Sequence, residues 1–97
     1  TGLLTVPLGL PALVVPPDVH AGSRVDVWVT LESDAGRLVS RPRLRDVVVI
    51  AAPAAAEGFG ASGERQLVLG VAESQEEELG QVLAAVGEAP ITVVGRD

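Results

Sequence analysis

The chain has no cysteine, no methionine, no tyrosine and no lysine, and its only aromatic residues are Trp28 and Phe59. Without cysteine there are no disulfides, no thiolate nucleophile and no thiolate metal site. With so few rings, the interior of a 97-residue chain must be filled by close-packed Val, Leu, Ile and Ala. That length suits a single core. A formal net charge of −6 excludes the basic footprint that gives a nucleic-acid binder most of its affinity. No stretch approaches the roughly 18–20 apolar residues needed to cross a bilayer, the longest being VVVIAAPAAA at 47–56. The opening TGLLTVP lacks both an initiator Met and a signal-peptide pattern, and reads as an excised or processed fragment. Membrane attachment is therefore expected only through an anchor outside this chain.

The charge is unevenly spread. Residues 1–56 balance Asp18, Asp26, Glu32, Asp34 and Asp46 against Arg24, Arg37, Arg41, Arg43 and Arg45, so the whole deficit falls in residues 57–97. The neutral part reads as β-structure. Residues 1–8 form a first strand with Leu4, Val6 and Leu8 in one parity, and Pro7 assigns it to an edge or bend. Pro11, Pro16 and Pro17 then leave room for a short strand at 12–15 but not for a helix. Residues 18–23 are turn-like. From 24 to 31 the alternation is clean: Val25, Val27, Val29 and Leu31 form one face, and Arg24, Asp26, Trp28 and Thr30 the other. Asp34, Ala35 and Gly36 turn the chain into residues 37–40. Residues 41–45 read as a basic connection, and the run from 46 to 52 as a strand covered on both faces. The Gly/Ala-rich stretch at 53–63 is a flexible excursion.

The last third reads as strand, helix, strand. A strand at 66–72 precedes Ser74, which with Glu77 makes a capping box. Glu76, Glu77 and Glu78 suit the positive end of the helix dipole. Leu79, Val82, Leu83 and Val86 form one apolar stripe over a helix of about 13 residues that must lie on a sheet. Gly87 ends the helix, and residues 91–94 close the unit. The fold class is mainly β with one helix in a C-terminal β-α-β unit, or α+β. Residues 1–97 form one domain, divided into a β-rich part (1–56), a loop (57–64) and the β-α-β part (65–97).

Little in this pattern carries chemistry. The sole histidine, His20, is an exposed turn residue with no second His or Cys to complete a metal site. The serines offer no G-x-S-x-G elbow. GFGASG at 58–63 lacks the Lys-Ser/Thr and the following helix of a phosphate loop. The three glutamates at 76–78 fan around a helix axis instead of converging. No catalytic, cofactor or metal residues are assigned, and no cofactor is expected. Trp28, on the non-core face beside Asp26, either covers a small second core or sits at an interface. Arg41, Arg43 and Arg45 share a face if the segment is extended. They then suit either a carboxylate, a phosphate or an acidic neighbour, or a charged edge that resists unwanted pairing. Trp28, Arg41, Arg43 and Arg45 are thus the candidate interface.

The segment AGSRVDVWVT resembles the PGDRVDV-type segment of SAF-like proteins, in particular the Flp (Tad) pilus assembly proteins of the CpaB/RcpC group. Gly22, Arg24, Val25, Asp26 and Val27 match, while Ala21 and Ser23 stand where Pro and Asp are usual. RDVVVIAAP and the strand-helix-strand ending resemble later parts of the same family, in the same order along nearly the whole chain. The resemblance implies a β-clip (SAF-like) core in an extracytoplasmic, membrane-anchored protein. It implies non-enzymatic assembly or scaffold work in a Flp/Tad-type pilus or secretion apparatus, through protein partners and self-association. In that setting Gly22, Arg24 and Asp26 are structural-motif residues, with Asp26 taking backbone amides. The alternatives are a small-ligand or glycan-binding SAF module, and an accessory fragment of a larger enzyme.

Overall fold

Period-two alternation of valines dictates a sheet with one dry face, and the chain builds a single antiparallel sheet of five strands. The computed structural model describes residues 2–53 and 64–96. The strands are β1 (Leu3–Pro11), β2 (Arg24–Glu32), β3 (Leu38–Ala51), β4 (Glu64–Ala72) and β5 (Ile91–Arg96), in the order β1-β4-β3-β2-β5. One helix, α1 (Glu76–Ala85), follows β4. The fold is thus mostly β with one short helix. Apart from Pro53, the excursion expected at 53–63, including GFGASG, lies outside the described residues.

The core lies between one sheet face and the helix. Val25, Val27 and Val29 of β2, Leu44, Val47 and Val49 of β3, Leu67, Leu69 and Val71 of β4, and Val93 of β5 bury their side chains there. Leu79, Val82 and Ala85 of α1 close it from above. No ring is needed because β-branched and Leu side chains interdigitate at native density. Leu31, expected on the dry face, lies beyond the cover and is exposed.

β4, α1 and β5 keep the expected strand-helix-strand order, but the two strands are not neighbours. β3 and β2 lie between them, and three successive antiparallel pairings leave β4 and β5 antiparallel to each other. Both ends of the chain thereby join one sheet, since β1 pairs with β4 along its whole length.

The structure corrects five expectations. Residues 12–14 form a single 3-10 turn (Ala12–Val14) where only a strand was expected. Such a turn needs only the Val15 N–H to reach the Ala12 carbonyl, and Pro11 before it loses nothing. The Arg65 guanidinium then fastens this Pro-rich loop by donating to the Pro16 and Val19 carbonyls.

Residues 41–45 are not a connection but the middle of the 14-residue strand β3. Two irregularities in its pairing with β2, on either side of the Val27–Leu44 pair, reset the side-chain parity. The run after Asp46 is covered on one face only: Val47 and Val49 are buried, whereas Ile50 points outward and is exposed. Pro42 fits in β3 because pairing with β4 begins only at Val48, leaving that side of the strand free.

The helix is shorter than expected and its cap differs. A 3-10 turn (Glu73–Gln75) precedes it, so the N-cap position falls to Gln75 and no side chain caps the first turn. Ser74 and Glu77 therefore do not form a capping box. Gln75 instead turns its amide to β3, accepting the Arg45 N–H at 2.9 Å and donating to the Arg45 carbonyl at 2.9 Å. It acts as a one-residue strand where β3 has no neighbour. Ser74→Ala should consequently change stability by less than about 0.5 kcal/mol. Gln75→Ala, which removes two hydrogen bonds, should cost about 1 kcal/mol. Urea midpoints of the two variants check this; an inverted ranking would restore the Ser74 cap. The helix ends as Val86 leaves the helical range (ψ 124°), and Gly87, with φ of 80°, takes the left-handed place in the turn that the Glu88 N–H closes on the Ala85 carbonyl.

Candidate functional site

Only one face of the sheet is covered by α1. On the other lie Arg24, Asp26, Trp28 and Thr30 of β2, with Pro42 and Thr92 directly beside Trp28. Farther across the same face are Val48 and Ile50 of β3, Val68 and Gly70 of β4, and Leu3 of β1. Gly70 exists for this layer: a Cβ there would come within 2.9 Å of Val48 Cγ1 and 3.1 Å of Ile50 Cδ1. Val48 and Ile50 lie across its backbone and smooth the face. Leu3, Ile50 and Val94 remain substantially exposed on it.

Trp28 is half-buried, and its indole Nε1 is shut off from water with no acceptor among the described residues. A buried N–H left in this state carries an uncompensated desolvation cost. The Arg43 Nε is in the same condition.

Beside Trp28, Asp26 organises the irregular pairing of β2 with β3. Its Oδ1 accepts the Asp46 N–H at 2.8 Å. One guanidinium nitrogen of Arg96 donates to both carboxylate oxygens, at 2.8 and 2.9 Å. Asp46 has φ of 51°, unusual for a residue with a side chain, and its carboxylate pairs with Arg24 Nε at 3.1 Å. Asp26 thus ties β3 and β5 to β2 at one point. Burial pushes the Asp26 pKa up, but the Asp46 N–H, the Arg96 bond and the charges of Arg96 and Arg45 outweigh it and hold the carboxyl below its ordinary value. The same pairing raises Arg96. Gly22, with φ of 97°, begins the pairing by donating its N–H to the Val49 carbonyl at 2.7 Å.

Comparison with protein-family models, with curated proteins and with solved structures finds no match.

The four candidate interface residues do not form one patch. Trp28 lies on the outer face, and Arg45 stands near enough to Asp26 to act on its charge. Arg41 pairs across from Val29 and so projects to the core side of the sheet, beyond the helix, where it shares a cleft with Arg43. The parity resets in β3 separate side chains that an even strand would align.

His20, Ser23, Arg24 and Arg96, with Pro16, Asp18, Val19, Gly22 and Gly95, border an open cleft of about 560 Å³. This was not legible, because its residues come from opposite ends of the chain. His20 Nδ1 lies 2.8 Å from the Asp18 carbonyl and 3.2 Å from Ser23 Oγ. A ring nitrogen facing a carbonyl must carry the proton, so this one cannot take the Ser23 proton. The pair closes a turn instead of activating a nucleophile. Among the described residues no group of acidic or His side chains could hold a metal. No helix among them is long and apolar enough to cross a membrane.

Proposed function

We propose that this chain is a non-enzymatic assembly or scaffold domain that acts through protein contacts, with the sheet face around Trp28, which no described element covers, as the contacting surface. The observation carrying this reading is the half-buried indole on a face that exposes Leu3, Ile50 and Val94. A partner laid on this face would bury the aliphatic side chains and cover the aromatic anchor. The narrower reading is an extracytoplasmic component of a Flp/Tad-type pilus or secretion apparatus with a SAF-like, β-clip core. It rests on the resemblance of the segment containing Gly22, Arg24 and Asp26, and an anchor would lie outside this chain.

Sedimentation velocity over a wide concentration range, with Trp28 fluorescence on the same samples, tests the contact surface. Self-association accompanied by a blue shift of Trp28, lost in Ile50→Glu, is the expected result. A strict monomer with unchanged emission, together with no change at this face when secretion-apparatus components are added, would overturn it. The second reading, a small-ligand or glycan-binding module, is favoured by the polar cleft between His20 and Arg96. Glycan titrations that shift resonances of Ser23 and Gly95 would support that module.

A further inference from the structure

Beyond Val29, β2 and β3 run on together as an arm. β5 pairs with β2 only from Arg24 to Val29, and β4 pairs with β3 only from Val48 to Ala51. On the core side of this arm, past the helix, Leu31, Val39, Arg41 and Arg43 line an open cleft of about 190 Å³, with Glu32 and Ser33 at its end. Cross-strand pairing sets Leu31 against Val39 and Val29 against Arg41, so two aliphatic walls lie beside the guanidinium groups.

Those arginines have no ion-pair partner among the described residues. Among the described residues the ion pairs join Arg24 to Asp46 and Arg96 to Asp26, and Glu32 reaches neither Arg41 nor Arg43. The Arg43 Nε is itself shut off from solvent, so an entering carboxylate would meet the outer guanidinium nitrogens. Two arginines and one glutamate leave a single positive charge in the lining, which matches one carboxylate. A polyanion is a poorer fit, because Glu32 and the net charge of −6 repel it.

We propose that this cleft docks an acidic segment of a protein partner, with a Glu or Asp carboxylate between Arg41 and Arg43 and an aliphatic side chain against Leu31 and Val39. The site is distinct from the sheet face around Trp28 and stands or falls separately from it.

A 1H–15N NMR titration with the blocked peptide LEEL, using LKKL as the control, tests the proposal. The expected result is shifts confined to Leu31, Val39 and the Nε–H signals of Arg41 and Arg43, weakening as salt rises. Affinity should fall at least tenfold in Arg41→Gln/Arg43→Gln, with the melting temperature of each protein checked. Should the double variant unfold, the exposed Arg41→Gln alone should still lose several-fold. Absence of shifts at millimolar LEEL, equal shifts with LKKL, or undiminished binding by the variants would overturn it. So would tighter binding of a short oligonucleotide or inorganic phosphate at the same residues, which would reveal a general anion site.

Discussion

Leu44→Ala is expected to destabilise the domain by about 2–5 kcal/mol, the range for emptying a fully packed core position. Leu44 has no exposed surface, although four of its five nearest neighbours on the N-terminal side and two on the C-terminal side are polar, charged or Pro. It reaches the interior because the irregularities flanking the Val27–Leu44 pair turn it inward. Were residues 41–45 a basic connection, the same substitution would cost about 0.5 kcal/mol or less. The two cases differ by enough to be separated in a single urea titration, provided the m-value is unchanged. A loss below about 1 kcal/mol would sink the register described for β3.

This residue also shows where the sequence is legible. β2 could be read because Val25, Val27 and Val29 alternate without interruption, and α1 because Leu79 and Val82 recur at helical spacing above Gly87. In β3 the periodic signal fails between Ser40 and Asp46, where arginines and a proline occupy most positions. A strand carrying bulges changes parity without any hydrophobic cue, so the passage resembles a loop. The same parity change hides the division of Arg41 and Arg43 from Arg45. Ser74 shows the opposite failure. The local pattern S-x-x-E was present, but a 3-10 turn moved the helix start and gave the cap position to Gln75, whose side chain serves β3. That partner lies 30 residues away, beyond the reach of any local motif. Sheet order was equally out of reach: local periodicity marks β4 and β5 as strands, but it does not say that β3 and β2 separate them. Asp26 was conspicuous as a carboxylate inside a valine strand, while Arg96, which meets it, stood out in no pattern.

Asp26→Ala should lower stability by about 1–3 kcal/mol at neutral pH, since it strands the Asp46 N–H at the irregularity and removes the partner of Arg96. Asp26→Asn keeps an oxygen able to accept the Asp46 N–H but loses the charge, so its effect should be smaller. The difference between the two variants separates the backbone bond from the ion pair, which is partly exposed and weakened by salt. Acid provides an independent check. Because the folded-state pKa of Asp26 is held below its unfolded value, the ionised carboxylate favours the folded state above about pH 4, the ordinary value for the unfolded chain. That contribution should disappear as pH falls through the lowered folded value. Wild type and Asp26→Asn should therefore differ most near pH 7 and converge as pH falls through the lowered folded value, whatever the other carboxylates do in both proteins. Parallel pH–stability curves would show that Asp26 titrates alike in the folded and unfolded chains. The link from β2 to Arg96 would then be a contact of geometry without energetic consequence, and the joining of β3 and β5 at this point would have to rest on the backbone ladder alone.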